Sequence, residues 1–142
     1  MERKEKCKSW DFSYRDHNYE VRQTPKFDFD SSLSHLSGFT YYILTKNIDG
    51  DLNDIESKFD VGEFHGGITY CRRHIVQSFS KPDPSYKWQA DTTYLKIGCD
   101  YAHIWDDGSE TLDDVCRDAE RTIDKLIEAE LIEDKEKKVA AS

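Results

Sequence analysis

The apolar period of the last third of this chain limits the fold more than any other feature. Leu112, Val115, Cys116, Ala119, Ile123, Leu126 and Ile127 recur at helical spacing. Thr111, with Asp114 three residues on, makes a capping-box-like start, and Glu110, Asp113 and Asp114 set carboxylates at the positive end of the helix dipole. Arg117, Asp118, Arg121, Asp124, Lys125 and Glu128 fall on the opposite face. The spacing predicts a helix over 111–133, followed by a frayed tail over 134–142 that carries Lys135, Lys137 and Lys138. One apolar stripe cannot bury itself. It needs a second layer.

The strands upstream supply that layer. Trp10, Phe12 and Tyr14 alternate with Asp11, Ser13 and Arg15, and after the turn formers Asp16-His17-Asn18 the alternation resumes at Tyr19, Val21 and Gln23. Residues 9–23 therefore read as a hairpin, ended by Pro25. Residues 26–37 are mixed, with a short helical turn capped by Asp30 or Ser31 and a surface His35. Phe39-Thr40-Tyr41-Tyr42-Ile43-Leu44 is dense in aromatic and β-branched residues on both faces, as a central strand would be. Residues 45–63 read as a flexible acidic loop; Asp49-Gly50-Asp51 fails as a calcium loop, because the glycine is misplaced and no closing glutamate follows. Strand returns over 65–79, interrupted near Arg72-Arg73-His74. Pro82 and Pro84 force a loop, and strand returns again over 86–103 with Leu95, Ile97, Cys99 and Tyr101 on one face. The fold class is α+β: an antiparallel sheet of five or six strands packed against one long C-terminal helix. Residues 1–142 make a single domain, with a charged tail over 1–8 and mostly strands over 9–103.

Charge narrows the partners. The net charge is −9, and the chain is 35% charged and 13% aromatic, so a modest core must lean on large rings. Residues 48–63 sum to −5, whereas residues 64–99 sum to +3. An overall acidic chain disfavours direct binding to a nucleic-acid backbone. The positive cluster Arg72, Arg73, His74 is expected to pair with the acidic loop rather than meet a phosphate. No apolar run reaches the length of a membrane span and the charged start lacks a secretory signal, so the expectation is an intracellular protein with no membrane partner. Cys7, Cys71, Cys99 and Cys116 form no C-x-x-C pair and read as reduced thiols, Cys116 in the core and Cys7 exposed.

The candidate site lies on two strand segments. His65, Gly66, Gly67, Thr69 and Tyr70 come from the first; Asp100, His103 and Asp106 come from the second. Antiparallel pairing could bring His65, Asp100 and His103 together at one end of the sheet. Two histidines with carboxylates fit three readings: a polar ligand-contacting or structural cluster, a divalent site such as zinc, or a general acid/base pair. The spacing matches no known metal signature. No residue is therefore assigned as catalytic or as a metal ligand, and no cofactor is required. Gly66-Gly67 marks a bulge or a close backbone approach.

These two motifs carry a resemblance. H-G-G-[IL]-T-Y at 65–70 and G-x-D-x-A-H-x-x-D at 98–106 resemble a family of small phage- and prophage-associated proteins, over residues 38 to the C-terminal helix. This chain departs from the usual pattern with Cys99 where an aromatic is typical and Tyr101 where a cysteine is typical. The family has no established activity, so the resemblance implies a setting, the cytoplasm of a phage host. Two function classes follow. One is a non-catalytic binding or inhibitory protein acting on a host defence system, anti-CRISPR-like, whose partner is a host protein or a small nucleotide. The alternative is a small hydrolase, metal-dependent or not, using His65, Asp100, His103 and Asp106. Strand 39–44 and the long helix could each supply a homodimer face.

Overall fold

The computed structural model describes residues 7–24, 36–75, 93–102 and 106–134. Five strands form one antiparallel sheet: β1 (Lys8–Tyr14), β2 (His17–Gln23), β3 (Phe39–Lys46), β4 (Tyr70–Ile75) and β5 (Thr93–Asp100). Their spatial order is β1-β2-β3-β5-β4, so the last strand inserts beside the central one and β4 becomes an edge. The described residues also form two α-helices, α1 (Leu52–Phe59) and α2 (Leu112–Glu128), and a single 3-10 turn over Asp60–Gly62. Among the described residues no helix is long and apolar enough to cross a membrane.

The predicted hairpin forms, with a tighter turn than its sequence suggests. Tyr14 pairs with His17, leaving a two-residue loop of Arg15 and Asp16, both at positive φ (49° and 65°). That backbone matches the twist of the flanking strands. His17 belongs to β2 and is buried, with its Nε2 bonded to the Glu133 carbonyl.

Alternation divides the sheet cleanly. Tyr19 and Val21 of β2, Phe39, Tyr41 and Ile43 of β3, and Leu95, Ile97 and Cys99 of β5 all point to one face and are buried. The helix α2 covers that inner face with Val115, Ala119, Ile123 and Leu126, each with no exposed surface. Thr111 and Asp114 form the expected reciprocal capping box.

Four tyrosines rivet the helix to the sheet. The Tyr19 hydroxyl donates to Glu120, the Tyr14 hydroxyl to Asp124 at 3.1 Å, and the Tyr101 hydroxyl to Asp118, while Tyr41 and Thr122 share a bond of 2.8 Å. Asp118 and Asp124, expected on the solvent face, therefore sit at the border and hold the sheet. Arg15 adds bonds to Asp124 at 2.8 Å and to Asp134 at 3.1 Å.

Three expectations are corrected. The long helix stops at Glu128 rather than at 133, because Glu130 enters the left-handed region (φ 59°). Its N–H then bonds the Ile127 carbonyl and that of Leu131 bonds the Leu126 carbonyl, a Schellman closure. Residues 45–63 are not a flexible loop: β3 runs to Lys46, Asp51 caps α1 by accepting from the Asn53 N–H at 2.7 Å, and Ile55 and Phe59 are buried. Strand pairing of β4 starts only at Tyr70, because residues 64–67 turn. β3 has both edges paired and the apolar stripe of α2 faces the sheet. The expected helical turn within 26–37 and His35 lie outside the described residues, apart from 36 and 37.

Candidate functional site

The first motif is a turn. Gly67 N–H donates to the Phe64 carbonyl at 2.9 Å, and Gly66 sits at φ 68°, the positive value that the third position of a type II turn requires. Phe64 buries its ring against Tyr41, stacked with centroids 5.9 Å apart. The turn thus projects His65 from an anchored base. Thr69 N–H donates to the Gly98 carbonyl at 2.9 Å, which leads the chain into β4.

His65 is held from two sides. Its Nε2 lies 2.7 Å from Asp106 Oδ1, and the Asp106 side chain is only 3% exposed. Where the carboxylate is ionised it can only accept, and Nε2 is then the donor of this bond. The imidazole also stacks on Tyr101, with centroids 4.1 Å apart and planes 21° from parallel. Tyr101 is buried, and burial together with its bond to Asp118 pushes the phenol pKa up. The motif pair therefore does meet, as His65–Asp106, and it clips the 64–67 turn to the segment before α2.

Asp100 ends β5 opposite Thr40, and its carboxylate accepts from the Ala102 N–H at 3.2 Å in a local Asx turn. Tyr70 points to the outer face of the sheet, the face α2 does not cover, where it pairs with Gly98. His103 lies outside the described residues. Among the described residues no group of three His, Cys, Asp or Glu side chains gathers to hold a metal.

The thiols are quiet. Burial pushes the Cys99 thiol up to about 12, and it also raises Cys71 and Cys116. A thiol that stays protonated is a poor nucleophile. Cys7 is exposed as expected, whereas Cys116 is half-buried on the flank of α2.

The positive cluster behaves unexpectedly. Arg73 does reach the acidic segment, but through neutral oxygens: Asn47 Oδ1 at 2.8 Å and the carbonyls of Ile48 at 2.8 Å and Gly50 at 2.6 Å. Arg72 lies over the Tyr70 ring, 5.6 Å from its centroid, and His74 bonds the Tyr70 hydroxyl at 2.7 Å. A cavity of about 1320 Å³ opens at the other end of the strands, between Lys46, Tyr94 and the Leu131–Asp134 side of the helix end. It contains none of the predicted site residues.

Sequence reasoning missed the outer-face group of Tyr42, His74, Tyr94, Arg22 and Lys96. The alternations Tyr70-x-Arg72-x-His74 and Tyr94-x-Lys96-x-Gly98 were its only signal, and only the β3-β5-β4 order joins them to Tyr42.

Comparison with protein-family models, with curated proteins and with solved structures gives no match to this chain.

Proposed function

We propose that this chain is a non-catalytic binding protein of a phage or related element, inhibiting a host defence protein by occupying a basic surface on it. The observation that carries this reading is the state of its carboxylates. On α2 four of the six pair with a cation: Asp114 with Arg117, Asp118 with Arg121, Asp124 with Arg15 and Glu128 with Lys125. In residues 49–63 the six carboxylates Asp49, Asp51, Asp54, Glu56, Asp60 and Glu63 form no ion pair among the described residues, and all but Glu56 are exposed.

The acidic lobe is also presented as a unit. Arg73 straps its entry, Asp51 caps its helix, Ile55 and Phe59 root it in the core, and Val61 stands 52% exposed at its tip. An apolar centre within a polar rim is the usual anatomy of a protein-binding patch. Unpaired carboxylates on a rigid support attract a cationic partner without first breaking internal pairs.

A second reading rests on His65, whose side chain keeps 25% exposure while a buried carboxylate orients it, as a general base would be. Plating of phage on a defended host separates the two. Expression of the chain is expected to restore plaques. The triple variant Asp54→Asn, Asp60→Asn, Glu63→Gln is expected to lose that effect, and His65→Gln to keep it. The reverse pattern would establish the hydrolase reading.

A further inference from the structure

The outer face of the sheet holds a set of side chains that neither the core nor the acidic lobe uses. Tyr42 of β3, Gly98 of β5 and Tyr70 of β4 stand in one row across three strands. A side chain at Gly98 would put its Cβ 2.5 Å from Tyr42 Cδ1, so the absence of one lets the Tyr42 ring lie down over the middle strand. There it meets Tyr70 edge to face, with centroids 5.3 Å apart. Further along the same two strands the aromatic surface continues, as the Tyr70 hydroxyl bonds His74 and His74 stacks on Tyr94 at 5.4 Å. The row from Tyr70 to His74 spans about 13 Å at roughly 3.3 Å per residue.

Cations frame these rings. Lys96 Nζ lies 4.5 Å from the Tyr42 centroid, Arg22 lies 5.9 Å from it, and Arg72 lies 5.6 Å from the Tyr70 centroid. The Lys96 side chain is only 9% exposed, and among the described residues it shares the one carboxylate it pairs with, Glu20, with Arg22, at 3.0 Å and 2.8 Å. Two cations on one acid leave a positive remainder beside the nearly buried Lys96 ammonium, and Arg72 has no ion pair among the described residues. In a chain of net charge −9 this is a local inversion of sign. Asp11 and Asp100 sit at the margins of the face, opposite Glu20 and Thr40 respectively.

We propose that this face binds a small nucleotide, its base stacked on Tyr42 with the Tyr70 ring beside its edge and its phosphate set between Lys96 and Arg72. Each half of the ligand has a partner of matching chemistry. Aromatic rings stack on any base, and guanidinium and ammonium groups take phosphate by charge-assisted bonds. The ligand is a mononucleotide rather than a strand because the basic area is short. A longer polyanion would run onto Asp11, Asp100 or the acidic lobe, whereas one phosphate stays inside the inverted patch. This surface is separate from the acidic lobe, so the two readings stand or fall independently.

Isothermal titration of the full chain with AMP, GMP, CMP and UMP in 50 mM salt tests the proposal. The expected result is saturable binding, tighter for the purines with their larger stacking area, and weaker in 300 mM salt. Tyr42→Leu and Arg72→Gln are each expected to weaken binding by about tenfold, in line with the loss of one stacked base or one charged contact. Arg72 is exposed, so its variant keeps the fold even if Tyr42→Leu loosens it; circular dichroism checks both. Asp54→Asn with Asp60→Asn is expected to leave nucleotide binding unchanged. No saturable heat with any of the four nucleotides overturns the proposal, as does equal affinity in the Arg72→Gln protein. Binding of a ten-nucleotide single strand where the monophosphates fail also overturns it.

Discussion

The same residue type does opposite work on the two faces of this sheet. On the inner face Tyr19, Tyr41 and Tyr101 are buried, and each hydroxyl is committed to α2 or its flank. On the outer face Tyr42, Tyr70 and Tyr94 are half-buried, and their rings are coupled to one another, to His74 and to cations. A buried phenol must find a partner for its hydroxyl, so it becomes a fastener. A half-buried ring on the face that α2 does not cover is under no such demand. Position relative to α2, one residue apart at Tyr41 and Tyr42, sets the role.

Neighbouring substitutions give the sharpest test of this contrast. Tyr41→Ala removes a ring stacked on Phe64 and leaves Thr122 buried without its partner, so urea unfolding is expected to show a loss of about 3–5 kcal/mol. Tyr42→Ala is expected to cost about 1 kcal/mol, the scale of a cross-strand pair. Equal losses at the two positions would erase the distinction between the faces.

Gly98→Ala probes the seam between them. The new methyl would lie 2.3 Å from the Tyr41 carbonyl oxygen and 2.5 Å from the Tyr42 ring, so backbone and ring must both give way. A loss of about 1–3 kcal/mol is expected by the same measurement, the cost of overpacking. A neutral outcome would mean that the Tyr42 ring does not need to lie on β5.

The smallest effect is one of pH. Burial, first among the causes, raises the phenol pKa of Tyr19, Tyr41 and Tyr101 in the folded state. The unfolded chain ionises its tyrosines near pH 10, so above that pH the folded state binds more protons than the unfolded one. Stability is therefore whole below about pH 10 and falls as pH rises beyond it. Thermal melts at several pH values between 8 and 11 should show Tm declining only at the alkaline end. The decline should shrink in Tyr101→Phe, which keeps the ring and removes the ionisable group.

Much of the fold could be read from local pattern. The α2 period, its capping box and the inner face of β5 all announced themselves, because each is a repeat within one segment. The helix α1 did not: it has eight residues, of which only Leu52, Ile55 and Phe59 are large and apolar, and what makes it a helix is burial of the last two against the rest of the molecule. The turn at 64–67 was read as strand because Ile68-Thr69-Tyr70 looks extended, and Gly66, the glycine that a type II turn wants at its third position, was read as a bulge instead. For the site, His65, Asp100, His103 and Asp106 were expected to converge; His65 meets Asp106, Asp100 accepts locally from the Ala102 N–H, and His103 lies outside the described residues. Tyr70 was grouped with them, yet it faces the other side. A two-residue period fixes which side chains share a face only once strand pairing starts, and pairing starts at Tyr70 itself.

The order of elements has a consequence for how the chain is made. Every strand precedes α2 in the sequence, and α2 covers the inner face. During synthesis from the N-terminus the hairpin of β1 and β2 and the central strand leave the ribosome with Tyr19, Val21, Tyr41 and Ile43 uncovered. They cannot be sealed until Thr122, Glu120 and Asp124 have emerged to receive the tyrosines and Arg15. Until then the nascent sheet presents an apolar wall to its surroundings, the state most open to chaperone capture or aggregation. A stalled or truncated product ending before residue 112 is thus the form most in need of protection in the cell.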